Sequence, residues 1–564
     1  MKQFNRRDFL KLFAATGAAV TVSTALQGCA SVGKTSERSS VKFDHGVASG
    51  DPTSNAILLW TRAVPENSTE KQVALGWELA ADENFSSIIR SGTATTSASR
   101  DYTVKVDVTQ LSPNQRYYYR FLGKNSKSPS GKTQTLPESG LKPLKFAVFS
   151  CSNYPAGYFN PYSEAAKDDS IDAVIHLGDY IYEYGAGGYA TQGSQEIGRG
   201  LPDNNNTELF TLTDYRRRYA LYRTDEGLQA LHAHAPFIAV WDDHEISNDT
   251  WKNGAENHQE DEGSFIERRA AAVQAYYEWL PIRPPQGEAN LTIYRDFKFG
   301  DLVDLIMLDT RVIGRDKQLN YDDYRDAESG QFNTQKFQQD MSSDRSIMGK
   351  KQLQWLGNKL NNSSARWQVL GQQLLMGKMN FPSAAFAADD RSKVTPLLLQ
   401  IAELKKRLQN GEELTPQQQA MVTQVTPYNL DAWDGYPIER EMLYRAAKKA
   451  NKQLVVIAGD THNAWHSELR SSDGAHIGVE FATSSVSSPG MEAYLSLDTK
   501  TAEQLAKALP TLIEDLKYTN LHQRGYMNLF ASEDAVEAEW VFVDTIRSKD
   551  YRVVNKHRAR YTGS

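Results

Sequence analysis

Cysteine is almost absent: the chain has 564 residues and two cysteines, Cys29 and Cys151. Cys29 falls at the end of a leader, which leaves Cys151 without a partner. No intramolecular disulfide is expected, even for an exported chain. Excess positive charge is also lacking. The whole chain carries −7, and residues 1–28 hold Lys2, Arg6, Arg7 and Lys11 against Asp8, so the remainder is more acidic still. That balance disfavours nucleic acid as a partner, and no nucleic-acid-binding surface is implied. An anionic substrate would need bound cations to attract it. Long apolar runs are missing too. Leu12 to Leu26 is short for a membrane span and contains Thr, Ser and Gly. There is no internal repeat, and nothing resembles a serine nucleophile elbow. The rest is ordinary: 40% apolar and 24% charged residues describe a globular chain, long enough for two domains or one large decorated one.

The N-terminus is a targeting segment. Asn5-Arg-Arg-Asp-Phe-Leu-Lys11, followed by the mild apolar run to Leu26, reads as a twin-arginine export signal over residues 1–28. It implies the twin-arginine translocase as a partner and a periplasmic or secreted location. That route carries folded proteins, which suits a site loaded with metal before export. Leu26-Gln-Gly-Cys29 has the form of a lipoprotein box, so lipidation of Cys29 stays open, with residues 29–40 as linker or tether.

Residues 41–137 alternate with period two. Ala56–Arg62, Val73–Leu79, Tyr102–Val108 and Arg116–Phe121 read as strands broken by Pro, Asn, Ser and Gly, the pattern of a small β-sandwich. Ser128–Thr133 reads as its turn-rich exit. From residue 143 to 545 strands alternate with helices, the α/β signature. Helices are expected over Ala156–Lys167, Glu262–Leu280, Lys351–Leu360 and Pro437–Ala450. Residues 383–425 read as a polar, helical, solvated insertion near the site mouth. Ala538–Val543 reads as an edge strand, and 546–564 as a solvated basic tail.

The chemistry gathers at strand ends. Ala173–Tyr182 is a short apolar run that ends in Gly178-Asp179, with Tyr182 three residues on. Lys145–Cys151 ends in a thiol. Phe237–Glu245 ends in three carboxylates and His244. Leu454–His462 ends in Asp460 and His462, and Val479–Ser485 in hydroxyls. Open α/β sheets place ligands at this edge, so the pattern suggests one polynuclear metal site. A strongly Lewis-acidic ion such as ferric iron holds thiolate and phenolate together at neutral pH. The oxygen-rich run Asp242–Asp249 suits calcium, magnesium or manganese, with about half of its acids touching metal. Asn248 offers an amide oxygen. Arg311 either clamps a phosphate or forms a structural ion pair. His176 reads as a core histidine, and Ser484, Ser485 and Ser487 as turn hydroxyls.

Gly46–Pro52, Leu58–Arg62, Phe149–Ser152, Leu177–Glu183, Trp241–Glu245, Leu308–Arg311, Trp433–Tyr436, Gly459–His462 and Gln523–Tyr526 together resemble the PhoD-like alkaline phosphatase/phosphodiesterase family, in order and over nearly the whole mature chain. The resemblance implies an α/β fold, an αββα metallophosphoesterase-like sandwich with an N-terminal β-sandwich domain. It also implies ferric iron with calcium, in two ions. Cys151, Asp179, Tyr182 and His462 would surround iron; Asp242, Asn248 and Asp460 would serve calcium, with Asp179 bridging. Asp179, Asn248 and Arg311 would be the catalytic set. The chain departs from the wider metallophosphoesterase pattern. Cys151 stands where Asp-x-His is usual, Tyr182 where an Asp is usual, and Trp241-Asp-Asp-His-Glu245 replaces Gly-Asn-His-Glu. That argues against a generic di-zinc site.

The implied reaction is hydrolysis of small phosphate esters or phosphodiesters, phospholipid or polymer diesters included. A metal-bound hydroxide or oxide attacks in line, without a covalent enzyme intermediate. A phospholipase D-like phosphodiesterase is the alternative within enzymes. A non-catalytic, metal-stabilised surface lipoprotein that binds phosphate or polysaccharide is the alternative from another class.

Overall fold

The computed structural model describes residues 23–24, 37–285, 291–387 and 390–563. The leader, apart from Ser23–Thr24, lies outside the described residues, as do Cys29 and the first part of the linker.

Two sheets stack at the centre. Leu144–Phe149, Ala173–His176 and Phe237–Ala239 pair in parallel within a ten-stranded sheet. Val303–Met307, Trp367–Gly371, Leu454–Ala458 and His476–Ala482 pair in parallel within a seven-stranded one. Strands covered on both faces must be apolar at every position, which explains the continuous runs. Val303, Leu305 and Met307 join Val148, Val174, Val455 and Phe481 in the core that includes the space between the sheets. Ile306 and Leu308, of opposite parity, belong to a second core with Leu356, Leu443 and Leu505 of the outer helices. Helices Leu212–Tyr222, Glu226–His234 and Phe265–Trp279 contribute to the first core, so the layer order is αββα. Among the described residues no helix is long and apolar enough to cross a membrane.

The N-terminal domain is a β-sandwich. Ile57, Leu59, Val104 and Val106 on one side meet Leu75, Trp77, Tyr119 and Phe121 on the other. Among the strands that escaped the sequence reading are Ile88–Ser97 and Gly131–Gln134. Ile88–Ser97 buries only Ala94 and Thr96, so it shows no apolar alternation. Gly131–Gln134 begins inside the stretch expected to be a turn. Its glycine is there for close approach, because a Cβ on Gly131 would sit 2.2 Å from Tyr119 Cζ.

The sandwich is continuous with the αββα layers. Gly50 pairs with Phe237, Trp60 donates its indole N–H to Glu278 O at 2.8 Å, and the buried Lys105 ammonium donates to Ile282 O at 2.7 Å. Arg283 binds Asp107 at 2.7 Å, and Arg295 binds Asp51 at 2.7 Å.

Three expectations need correction. Val536–Val543 is not at the edge: it lies between Arg524–Ala531 and Val553–Tyr561, so the basic tail is itself the outer strand. Its charges alternate with period two and face acids across the ladder, Lys556 and Arg558 to Glu539 and Arg560 to Glu537. The 383–425 insertion is only half solvated. Val394–Gln409 buries Leu398, Ile401 and Leu404 with Leu505, Leu509 and Leu512 of Thr499–Leu512, a helix the sequence reading omitted. The helix expected over Ala156–Lys167 is confined to Asn160–Ala165, where Pro161 fixes its first turn.

Removing residues 553–564 exposes the ladder groups of Val536–Val543. Thermal unfolding of the truncated protein should begin roughly 5 °C lower or more, with aggregation visible by size exclusion. An unchanged melt would mean that the segment is a dispensable tail.

Candidate metal centre

The parallel strands of both sheets deliver their carboxyl ends to one place. Cys151 and Asp179 follow strands of the first sheet, Asp242 the short strand Phe237–Ala239, and Arg311, Asp460 and Ser484 strands of the second. Sharp turns aim them. Cys151, Asp179, Asp460 and His462 all have left-handed backbone, with φ of 62°, 54°, 63° and 63°. Gly178 precedes Asp179 with φ 108°, and a Cβ there would lie 2.4 Å from Asp242 Cβ. Only glycine lets these two strand ends approach so closely.

Three groups of potential ligand atoms result, each within 4.8 Å: Cys151–Asp179–His462, Asp179–Asp243–His244 and Asp242–Asp243–Asp460. Asp179 belongs to the first two, Asp243 to the last two. Tyr182 joins the first group. Its hydroxyl donates to Asp179 at 2.9 Å, lies 3.1 Å from His462 Nε2 and accepts from Ser488 Oγ at 2.7 Å. His462 Nδ1 is 2.7 Å from Pro489 O, so that nitrogen carries the proton and Nε2 is the free lone pair.

The electrostatics are those of a site short of positive charge. Burial, then Asp242, Asp243 and Glu245, push the Asp179 carboxyl far up against the pull of His244. Burial and Asp243 lift Asp242 to about 7, although Arg311 pulls it down. Burial lifts Glu245 to about 8, and burial with Asp431 and Asp243 lifts Asp249 to about 7. The Cys151 thiol and Tyr182 phenol are both raised, by burial first and then by Asp179. Burial lowers His462 to about 3, which keeps it neutral. Burial would also lower His244, but Glu183, Asp243 and Asp179 outweigh it and hold the ring protonated. Asp179 Oδ1 and Asp242 Oδ2 are buried with no hydrogen-bond partner. Orphaned carboxylate oxygens beside a thiol, a phenol and a neutral imidazole fit bound cations.

The expected residues meet with two qualifications. Arg311 is brought in, but not as a free phosphate clamp. Its guanidinium is 0% exposed and engaged by Asp242 at 2.5 Å and by Asp431 and Asp460 at 2.7 Å, with Asp243 at 3.5 Å. Of the two readings open for Arg311, these contacts match the ion pair. Asn248 sits nearby, with its backbone N–H on Glu183 Oε1 at 2.7 Å and its amide Nδ2 on Glu256 at 3.1 Å. Glu245 is a backbone acceptor: it takes the amides of Asp179, Tyr180 and Asp242. His176 is a core residue, 2.7 Å from Tyr162 Oη. The sequence reading missed Asp431, which holds Arg311 and Arg315, and Ser488. Both lie in loops without periodicity. It also missed Glu183 as the partner of His244 at 2.7 Å, although Glu183 closes a motif that had been singled out.

Comparison with known proteins identifies the family. A PhoD-like phosphatase model matches residues 146–540, a PhoD-like phosphatase N-terminal domain model residues 28–137, and a twin-arginine translocation signal model residues 3–23. Alkaline phosphatase D of Bacillus subtilis (strain 168) is 35% identical over 555 residues, covering 95% of this chain and 84% of its own. The solved structure of PhoD superposes with a TM-score of 0.74 at 32% identity, covering 93% of this chain and 91% of its own. The chain therefore belongs to the PhoD-like phosphatase family of metal-dependent phosphoric ester hydrolases, and it carries the leader of an exported protein.

Proposed function

We propose that the site hydrolyses phosphoric mono- and diesters with a ferric ion on Cys151, Asp179, Tyr182 and His462, and two calcium ions on Asp242, Asn248 and Asp460, bridged by Asp179. The observation that carries this reading is the pair of orphaned oxygens, Asp179 Oδ1 and Asp242 Oδ2, buried in one carboxylate cluster. Donor chemistry divides the ions. Sulfur, phenol and imidazole suit iron, and the oxygen groups suit calcium. When bound, the ions neutralise phosphoryl oxygens and acidify the attacking water. A twin-arginine leader supports action outside the cytoplasm, and a lipid on Cys29 would keep the enzyme at the membrane.

The chain's own groups prepare this site. Cys151 and Tyr182 hold their protons until a cation displaces them, so loading is coupled to proton release. Pro489 O fixes the His462 tautomer. Arg311 positions Asp242, Asp431 and Asp460 rather than touching substrate. His244 keeps a positive charge over the Tyr182 ring, 4.2 Å between centroids.

Elemental analysis should find iron and calcium, with a visible charge-transfer band that Tyr182→Phe and Cys151→Ser shift or remove. Chelation, or Asp179→Ala, should abolish p-nitrophenyl phosphate hydrolysis by about a thousandfold or more. Full turnover by the metal-free protein would refute the reading.

A pH dependence follows from the raised carboxyls. Folded Asp242 and Asp249 bind protons up to about pH 7, whereas unfolded they release them near the usual 3.8. The folded state thus holds more protons in that window, and stability falls as pH rises through it. Chelated protein should melt several degrees lower at pH 8 than at pH 5.5, by calorimetry, and added calcium should remove the difference. A chelated protein that is more stable at pH 8 would contradict the charge shortage.

A further inference from the structure

Tyrosine rings lead from the floor of the site to solvent. Tyr182 lies on the floor at 1% exposure. Tyr189 stacks over it, 6.0 Å between centroids at 26°, and over His462 at 6.1 Å and 27°. Tyr189 is held there by its hydroxyl, which lies 3.1 Å from both Pro489 O and His462 Nδ1. Tyr494 continues the run: its hydroxyl is 3.3 Å from that of Tyr189, and its side chain is 51% exposed. Arg524, whose charge reaches Tyr189, is paired with Glu492. The rim at this point therefore offers ring faces rather than a free cation.

In the phosphoesterase reading, on which this inference rests, phosphorus sits among the carboxylates and the esterified group must project outward. We infer that Tyr189 and Tyr494 form the subsite for that group. The subsite favours esters whose bridging oxygen carries a ring, such as an aryl or glycosyl phosphate, over esters of an open chain. A flat face laid against phenol faces gains stacking and area burial that a flexible chain gains only by losing rotamer freedom.

The test compares kcat/KM of the metal-loaded enzyme, Tyr494→Ala and Tyr494→Phe on phenyl phosphate and glycerol phosphate, with inhibition by inorganic phosphate measured alongside. Taking each variant against the parent on the same ester cancels the leaving-group difference. Tyr494→Ala should lose about five- to tenfold on phenyl phosphate. Its loss on glycerol phosphate should be several-fold smaller, its phosphate inhibition should stay within about twofold, and Tyr494→Phe should keep the parental ratio. Equal losses on both esters would overturn the ring subsite. So would weakened phosphate inhibition, which would place Tyr494 at the phosphoryl pocket. A loaded parent that hydrolyses neither ester refutes the phosphoesterase reading itself.

Discussion

The buried guanidinium of Arg311 holds the centre together. It comes from the end of a strand in the seven-stranded sheet, yet its Nε binds Asp242, which belongs to the ten-stranded one. One side chain thus ties the two sheets at their carboxyl edges. Within a dry interior a unit charge acts strongly on neighbours at 2.5–3.5 Å, and Arg311 has four of them, Asp242, Asp243, Asp431 and Asp460. Arg315 supports it through Asp431. Arg311, Arg315 and His244 together cannot balance four aspartates plus Asp179, Asp249 and Glu245. Arg311 gathers the acids close enough to bind cations without saturating them, and the two unpartnered oxygens mark what remains to be satisfied.

Backbone geometry serves the same end. Non-glycine residues in the left-handed region cost roughly 1–3 kcal/mol each when the surroundings do not relieve them. Here Cys151, Asp179, Asp460 and His462 share that conformation. Hydrogen bonds hold the turns: Glu245 takes three amides across two strand ends, and Ser152 N–H donates to Asp179 O at 2.9 Å. The backbone therefore fixes the directions from which these side chains start.

Much of this was legible because strand-end chemistry is local in sequence. Gly178-Asp179, Gly459-Asp460 and Ser150-Cys151 each follow an apolar run, and runs buried on both faces cannot be mistaken for solvated segments. What stayed hidden depended on partners distant along the chain. Asp431 acquires meaning only because Arg311, 120 residues away, reaches it. The role of Arg311 was undecidable for the same reason, since a buried arginine beside a strand looks alike whether it meets phosphate or aspartate. Gly131 read as a turn because a glycine packed under Tyr119 and a glycine in a loop leave the same trace. The outer strand Val553–Tyr561 was concealed by its own lysines and arginines, whose acids sit on Val536–Val543.

The place of Arg524–Ala531 in the ten-stranded sheet has a temporal consequence. This late segment is the antiparallel neighbour of Leu144–Phe149, the strand that carries Cys151, and is not met until nearly four hundred residues later. A ribosome still translating the middle of the chain displays the thiol on a strand with one flank bare. The strand that carries Cys151 is therefore flanked on both sides only once residues 524–531 have been made, and a chain cut short before them would leave that edge open to pairing with another strand.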